Sequence, residues 1–565
     1  MKINATDITN VYYDGNADAL YKGDNKIWPL QEHYTEIVVD LSLREGKPNN
    51  TQFSLRLNNY LDSEVDANYK KVDWGDGTVE NGSIGTHIYK DSGIYTIRFG
   101  CYYMLRYTTD YMPCVIKINR LNDIGYYSLE SFFDGCTNLT SDVEIVIPEK
   151  ITNINRMFRG CTKFNSKVRL HNGIGACASA FEDCTSLNQP FNLPNPVSKA
   201  TGGSCYNMFK NCTSLNSPIN VGSIRSMSNI FLNCKSLNSE ITMNEGIENC
   251  ESMFQGCTSF NQPITIPSTV TNCSNMFMNC IRFNKYVNIP SKVTNCSNMF
   301  NGATSFDQEI RMPDSVENMS GMFKSCKSFI RPVKIPTNVT SLSYAFEGCK
   351  SFNHPITIPA KVKNCASMFR DCAKFNQPVT IVESNTTFNA NNMFMGCTSF
   401  NQPVDLKNRA ASASYLFKNC TNFNQPFTIP SSISSCMQMF FGCRSFNQPI
   451  VIPDNITNCS MMFSSCRSFN QPITIPSSVS SCMSMFNGCT SFNQPIELPL
   501  SITSCSQMFL GCTALTSVVS NWNKTYTNKI TTTRCYEGCT SINTIDGNPG
   551  TLDNIPTTWG GKLAV

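Results

Sequence analysis

A unit of about 23 residues recurs through most of the chain, and SCMSMFNGCTSFNQPI (481 to 496) is one of its cleanest copies. Aligning on the Phe of the Met-Phe pairs, from Phe133 through Phe323 and Phe486 to Phe509 with Tyr536 in the same role, gives 18 repeats. This period constrains the fold more than any other feature. A unit so short cannot bury its apolar face alone and must stack on its neighbours. The length of 565 residues agrees, since it exceeds what one hydrophobic core organises.

Within a repeat, Cys482, Met485, Phe486 and Cys489 fall at i, i+3, i+4 and i+7, the spacing of one helix face. Ser480 and Ser481 precede them as N-caps, and Gly488 stands near the end, where helices commonly stop. Phe492, an Asn493-Gln494-Pro495 corner and the alternating Ile496-Glu497-Leu498 follow, with Pro499 ending the segment. Each repeat is therefore expected to hold one short strand and one or two helical turns. The asparagines after the second Phe, such as Asn261, Asn401 and Asn447, are expected to form a corner ladder that satisfies backbone groups.

The 30 cysteines admit three readings: metal ligands, disulfide partners or small hydrophobes. The repeats themselves choose among them. Ile154, Met227, Met319, Leu342, Ala390 and Ala413 replace Cys four before Phe, and Ala303 replaces the Cys three after it. All are apolar, and none ligates or crosslinks. Seven residues of helix rise about 10.5 Å, too far for a disulfide. Neighbouring helices packed about 8 to 10 Å apart are expected to disfavour inter-repeat bridges. No C-x-x-C pair feeds the pattern and the chain has only four His, which argues against zinc. Buried free thiols are expected, with no metal and no cofactor.

Charge excludes further classes. The net charge is +4, from 45 Lys and Arg against 41 Asp and Glu, without clustered basic runs, so nucleic acid is not an expected partner. Met1-Lys2-Ile3-Asn4 leads into polar sequence without an apolar h-region, and no stretch is long and apolar enough to span a bilayer. Neither Sec export nor membrane insertion is expected.

VENMSGMF (316 to 323), CTSFNQPI (257 to 264) and ITIPSSVSSC (473 to 482) resemble the repeats of BspA-type leucine-rich-repeat surface proteins, in their mycoplasma-lipoprotein and treponemal variants. The resemblance covers about residues 125 to 545. Upstream, VDWGDGT (72 to 78) and THIYKDSGIYTIRF (86 to 99) resemble a PKD-type β-sandwich, with Asp76-Gly77 as a hairpin turn and Tyr89, Tyr95 and Ile97 as strand core. Asp73 and Asp76 are read as turn residues rather than a calcium site. The expected fold class is an α/β repeat, a leucine-rich-repeat solenoid preceded by a small PKD-like β-sandwich. Its domains would be a docking segment 1–33, the sandwich 34–118, the solenoid 119–545 and a C-terminal tail 546–565.

ITNVYYDGNADALYKGDNKIWPL (8 to 30) reads as two short strand pairs around Asp14-Gly15 and Gly23-Asp24, ending on Trp28. Its Y-x-G-x-x-x-IWP ending is similar to the start of many tail and fibre proteins of gut bacteriophages. That likeness implies a virion protein assembled in the host cytoplasm, with Tyr21 and Trp28 as docking residues toward other virion proteins. The outward residue of each strand forms a row rich in Thr and Asn, including Thr265, Asn288, Arg311, Lys334, Thr357, Thr380, Asp405, Thr428, Val451, Thr474 and Glu497. Arg311 and Lys334 make one local basic spot, and with Thr357 and Thr380 they form the candidate contact for a host-surface glycan or protein.

No catalytic residue is expected. Glycoside hydrolysis needs two carboxylates about 5 to 9.5 Å apart, whereas Asp405 and Glu497 lie four repeats apart, about 19 Å at the spacing of stacked strands. The function these features imply is a non-enzymatic virion protein with a recognition face, and a homo-oligomer is among the expected assemblies. The alternatives are a bacterial cell-surface adhesin and a purely architectural fibre or decoration protein.

Overall fold

The computed structural model describes residues 20–22, 25–28, 34–44, 51–57, 71–81, 85–100, 103–105, 112–121, 127–194, 205–222, 224–518, 530–545, 548–555 and 557–561. The chain divides into two compact units, residues 1–270 and 271–565.

The first unit begins with a hairpin of β1 (Leu20–Lys22) and β2 (Asn25–Trp28), in which Tyr21 stands opposite Lys26 and Leu20 opposite Trp28. The strand pair expected around Asp14-Gly15 lies outside the described residues, as do Gly23 and Asp24. Eight more strands follow: β3 (Thr35–Asp40), β4 (Gln52–Leu57), β5 (Lys71–Asp73), β6 (Val79–Asn81), β7 (Thr86–Ile88), β8 (Ile94–Phe99), β9 (Tyr103–Leu105) and β10 (Val115–Arg120). They form two antiparallel sheets of order β10-β3-β8-β5-β6 and β7-β4-β9. In β3 the alternation of TEIVVD sends Ile37 and Val39 into the core, where Val72, Trp74, Ile97 and Phe99 join them.

The loop between β5 and β6 is a turn built by its aspartates. The Gly75 N–H donates to Asp73 Oδ1 at 3.0 Å and the Thr78 N–H to Asp76 Oδ1 at 2.9 Å. Gly75 has φ +80°, and a Cβ there would meet the Thr96 carbonyl oxygen at 2.3 Å. Of the three residues expected as strand core, Tyr89 and Ile97 are buried, whereas Tyr95 is only half-buried. Tyr95 shares its face of β8 with Ile97 and Phe99 but stands near the start of the strand, where its ring lies against Tyr89 at 4.0 Å and its hydroxyl donates to the Asp91 carbonyl at 2.8 Å.

β10 also serves as the first rung of the repeats. The Thr140 N–H donates to the Ile116 carbonyl at 2.8 Å, and the Ser141 hydroxyl to the Ile118 carbonyl at 3.0 Å. Before β10, Met112 and Cys114 form a buried 3-10 turn, and Asn138 Nδ2 donates to the intervening Pro113 carbonyl at 2.9 Å. The antiparallel sheet thus closes the exposed end that a stack of repeats would otherwise present to water.

Parallel strand pairs mark the repeats of this unit: β11 (Ile145–Val146) with β12 (Val168–Arg169), then β13 (Phe191–Asn192), β14 (Ile219–Asn220) and β15 (Ile241–Thr242). In the second unit β16 (Ile356–Ile358) pairs with β17 (Val379–Ile381) in parallel register. The same in-out alternation continues where no regular strand forms, as in Ile473, Thr474 and Ile475.

The helical turns expected around each Phe are not there. Cys482, Met485, Phe486 and Cys489 are fully buried as their spacing requires, but their backbone is a run of turns. Alternate N–H groups leave the coil: those of Cys482, Ser484, Phe486 and Gly488 donate to the carbonyls of Ser504, Ser506, Met508 and Leu510 at 2.8 to 2.9 Å. The N–H groups between them turn inward, Met485 to Cys482, Asn487 to Ser484 and Cys489 to Phe486. Ser484 at φ 55° and Gly488 at φ 72° break any helix, and positive φ recurs two before and two after the aligned aromatic, from Ser131 and Gly135 to Arg534 and Gly538.

The physical reason is the spacing of the coils. Phe463, Phe486 and Phe509 stack with centroids 5.7 and 5.6 Å apart and rings within 7° of parallel. Packed helices need about 8 to 10 Å, so only a thin segment fits at this pitch. A second column, Phe469 on Phe492 at 6.0 Å, interleaves with the first at 4.3 Å between Phe486 and Phe492.

The end of the second unit is closed as well. The Tyr536 N–H donates to the Trp559 carbonyl at 2.9 Å, the Trp559 ring stacks on Tyr536 at 6.1 Å, and Ile555 is fully buried. The segment expected as a C-terminal tail therefore holds a cap on the last repeat, while Asp546 and residues 562–565 lie outside the described residues.

Candidate recognition surface

Strand alternation fixes which side chains face outward. In β16 and β17, Ile356, Ile358, Val379 and Ile381 are buried, while Thr357 and Thr380 stand opposite one another and are exposed. Arg311 lies beyond buried Ile310, and Lys334 lies between buried Val333 and Ile335; both are exposed. The four candidate residues thus share one face of the second unit. Thr428, Val451, Thr474 and Glu497 extend that face, with Val451 83% exposed.

The charge on this face is sparse. Arg311 Nε lies 3.7 Å from Glu309 Oε1, both side chains well exposed. Among the described residues no carboxylate lies within ion-pair distance of Lys334. The backbone N–H and side chain of Lys407 hold the Asp405 carboxyl below its usual range. An open depression of about 480 Å³ lies between Thr474 and Glu497, floored by Ile473, Ile475 and Leu498 and edged by Leu500. Among the described residues no group of three or more His, Cys, Asp or Glu side chains is placed to hold a metal ion. No helix there is long and apolar enough to cross a membrane.

The thiols carry a structural role that their spacing did not reveal. The Sγ–H of Cys489 donates to the Phe463 carbonyl at 2.9 Å, and Cys466 and Cys326 bond the Phe440 and Phe300 carbonyls in the same way. Thiols bonded in this way tether one coil to the preceding one. Burial pushes these thiols well above their ordinary pKa, and pushes Cys273 and Cys459 of the other column to about 12.

One pair departs from the expectation of free thiols: Cys177 and Cys205, four before Phe in successive repeats, form a disulfide. Their Cα atoms are 4.9 Å apart, inside the range a bridge requires. The expectation against inter-repeat bridges assumed helix spacing, and the coils stack more closely than helices do. Cys101 lies outside the described residues, and the other 27 cysteines are free and buried.

The asparagine corners form the expected ladder. The N–H of Asn447 donates to Asn424 Oδ1 at 2.9 Å, that of Asn401 to Asn376 Oδ1 at 2.8 Å, and that of Asn261 to Asn238 Oδ1 at 2.8 Å. Their amides are committed to the stack.

Two features went unrecognised in the sequence. Glu347, almost fully buried in the position after Phe346, lies between Lys324, at 2.9 Å, and Arg370. The signal was there: Lys324, Glu347 and Arg370 follow the aligned Phe in three successive repeats with alternating sign. Arg409 is 1% exposed and bonds only carbonyls, those of Thr386, Val382 and Ala360 at 2.6 to 2.8 Å with Val362 and Pro359 farther off. It fills the irregular repeat in which Phe369 and Phe394 stand 25 residues apart.

Tyr21 and Trp28 belong to the β1–β2 hairpin, apart from the strand row in sequence.

Among solved structures, the chain is similar to a leucine-rich repeat protein from Bacteroides ovatus ATCC 8483, 16% identical, covering 79% of this chain and 92% of that one with a TM-score of 0.30. A leucine rich cell surface protein from Faecalibacterium prausnitzii A2-165 is 19% identical and covers 74% and 86%, with a TM-score of 0.29. The T. pallidum Leucine Rich Repeat protein is 18% identical and covers 39% and 80%, with a TM-score of 0.22. No curated protein matches. A family model described as "Mycoplasma protein of unknown function, DUF285" matches residues 127–243, 176–289, 203–311, 248–358, 336–430, 411–522 and 434–546. These overlapping matches run without a gap from 127 to 546, well over half of the sequence, and the chain belongs to the DUF285 family.

Proposed function

We propose that the chain is a non-enzymatic recognition protein whose outward strand row binds a glycan or protein on a bacterial cell surface. The observation that carries this reading is the row itself, a polar and sparsely charged face repeated from coil to coil between buried flanks. Asn, Cys and Phe are committed to holding the stack, which leaves the row as the part free to vary. Acid–base chemistry has no support on it, because its carboxylates stand singly.

In its finer form the proposal makes the protein a phage virion component, with residues 1–33 docking to other virion proteins through Tyr21 and Trp28 and a PKD-like unit as spacer. The IWP-ending hairpin segment supports this form. A cell-surface adhesin would use the same row.

Two experiments test the proposal. Replacing Arg311, Lys334, Thr357 and Thr380 together by Ala is expected to weaken adsorption to cells that the intact protein binds, at a stability cost within about 0.5 kcal/mol per site. Adsorption equal to that of the parent would remove this stretch as the receptor face. Deleting residues 1–30 is expected to leave a folded protein that no longer enters particles, and normal incorporation would refute the docking role.

A further inference from the structure

The repeats of one chain act as their own comparison set, because every coil must satisfy the same stacking geometry. From Phe375 onward six successive repeats carry the same corner, FNQP, at 375, 400, 423, 446, 469 and 492. The four repeats before them read FNKYVNIP (283 to 290), FDQEIRMP (306 to 313), FIRPVKIP (329 to 336) and FNHPITIP (352 to 359). Their inward positions are unchanged in kind: Phe283, Phe306, Phe329 and Phe352 are fully buried, as are Val287, Ile310 and Val333 to within a few per cent. Their outward positions have been rewritten. Where FNQP repeats place Pro, the first has Tyr286, 49% exposed, and the second Glu309; where others place Thr, the second and third have Arg311 and Lys334.

Residues two apart on an extended segment share a face, so Tyr286 and Asn288 point to the same side as Arg311 and Lys334 on the next two coils. At about 4.8 Å per stacked strand, one aromatic ring and two cations fall within the span of two or three sugar rings. Neutral hydrogen-bonding groups, Asn288 on one side and Thr357 and Thr380 on the other, continue the row.

We infer that this block is a subsite for an acidic saccharide. The Tyr286 ring offers an apolar face to the C–H side of a sugar, Arg311 and Lys334 meet its carboxylates, and the Asn and Thr side chains hydrogen-bond its hydroxyls. A polymer repeating a carboxylate every ring or two matches a surface that itself repeats with each coil. An acidic polypeptide has the charge but no hydroxyls for Asn288, Thr357 and Thr380. Glu309, the nearest carboxylate to Arg311 at 3.7 Å, is exposed and single, so a ligand carboxylate can share that guanidinium.

The inference rests on the recognition reading of the same face, and the two are separable. The full chain is titrated with polygalacturonate, with fully methyl-esterified polygalacturonate and with poly-L-glutamate. The expected result is salt-sensitive binding of polygalacturonate only, weakened at least tenfold by Arg311→Ala with Lys334→Ala and, separately, by Tyr286→Ala, with unfolding temperatures unchanged. Binding of the ester equal to that of the acid, equal binding by the variants, or poly-L-glutamate bound as tightly would each overturn it. If polygalacturonate does not bind while the four-residue variant still loses cell adsorption, the recognition face stands and only the acidic-saccharide inference falls. If neither effect is seen, both fall.

Discussion

Removing one ring from the Phe column tests the stacking account directly. Phe323 is fully buried and meets Phe300 at 5.9 Å, Phe346 at 5.5 Å and Phe329 at 4.5 Å, each within 15° of parallel. Phe323→Ala loses the transfer free energy of the ring and leaves a cavity, about 3 to 5 kcal/mol. Stacked aromatic pairs add about 0.5 to 1.5 kcal/mol beyond burial, and four are broken, counting Phe306 at 6.5 Å, which puts the expected loss at the upper end, about 5 kcal/mol. The backbone need not follow, because the Phe323 N–H bonds the Ala345 carbonyl at 2.8 Å whatever the side chain.

A repeat array is stabilised mainly by nearest-neighbour interfaces, so the damage should be local. Native-state hydrogen exchange is the assay, since a long array need not unfold in one step. Amides around 300–346 should exchange over a thousandfold faster, at tenfold per 1.4 kcal/mol, while those around Phe486 keep their protection. A loss under about 1.5 kcal/mol, or protection falling equally at Phe486, would refute the reasoning.

Three further outcomes are expected. The central repeats of the native protein at pH 8 should resist iodoacetamide and react with it only on unfolding, because their free thiols are buried, and burial raises the pKa of thiols such as Cys489; rapid native labelling of these repeats, read by mass spectrometry, would contradict this. Arg409→Lys should destabilise the second unit by about 3 kcal/mol in thermal or urea unfolding, because one ammonium cannot reach carbonyls that a planar guanidinium bonds together; a loss below about 1 kcal/mol would count against that role. Partial burial opposes ionisation of Asp76, yet hydrogen bonds from His87 and Thr78 outweigh it and hold its carboxyl below the ordinary 3.8. A depressed folded pKa gives stability that is present above the ordinary value and lost as pH falls through the folded one. Asp76→Asn should therefore flatten the acid side of the first unit's stability profile, and an unchanged profile would show the carboxylate is not the source.

Much of the candidate surface was legible because outward position follows from local alternation. Thr357 between Ile356 and Ile358 must face out once the isoleucines face in, whether or not the segment pairs as a regular strand. The Asn corners were legible for a similar reason, since a short amide side chain at every turn has the next coil's backbone within reach. The Cys177–Cys205 bridge, the Arg409 clip and the Trp559 cap were not, because each joins groups brought together only by the stacking of coils.

The sequence by itself determined the period, the burial of Cys482, Met485, Phe486 and Cys489, and the outward row. What it could not determine was the element those four residues form. The spacing i, i+3, i+4, i+7 buries one face of a helix, and it equally buries one face of a turn run in which every second N–H reaches the next coil. The two differ in thickness, and thickness is decided between coils: rings stacked at 5.7 Å leave no room for a helix about 10 Å across. Only the tertiary structure supplies that distance, because it is a property of two repeats in contact and not of either one alone.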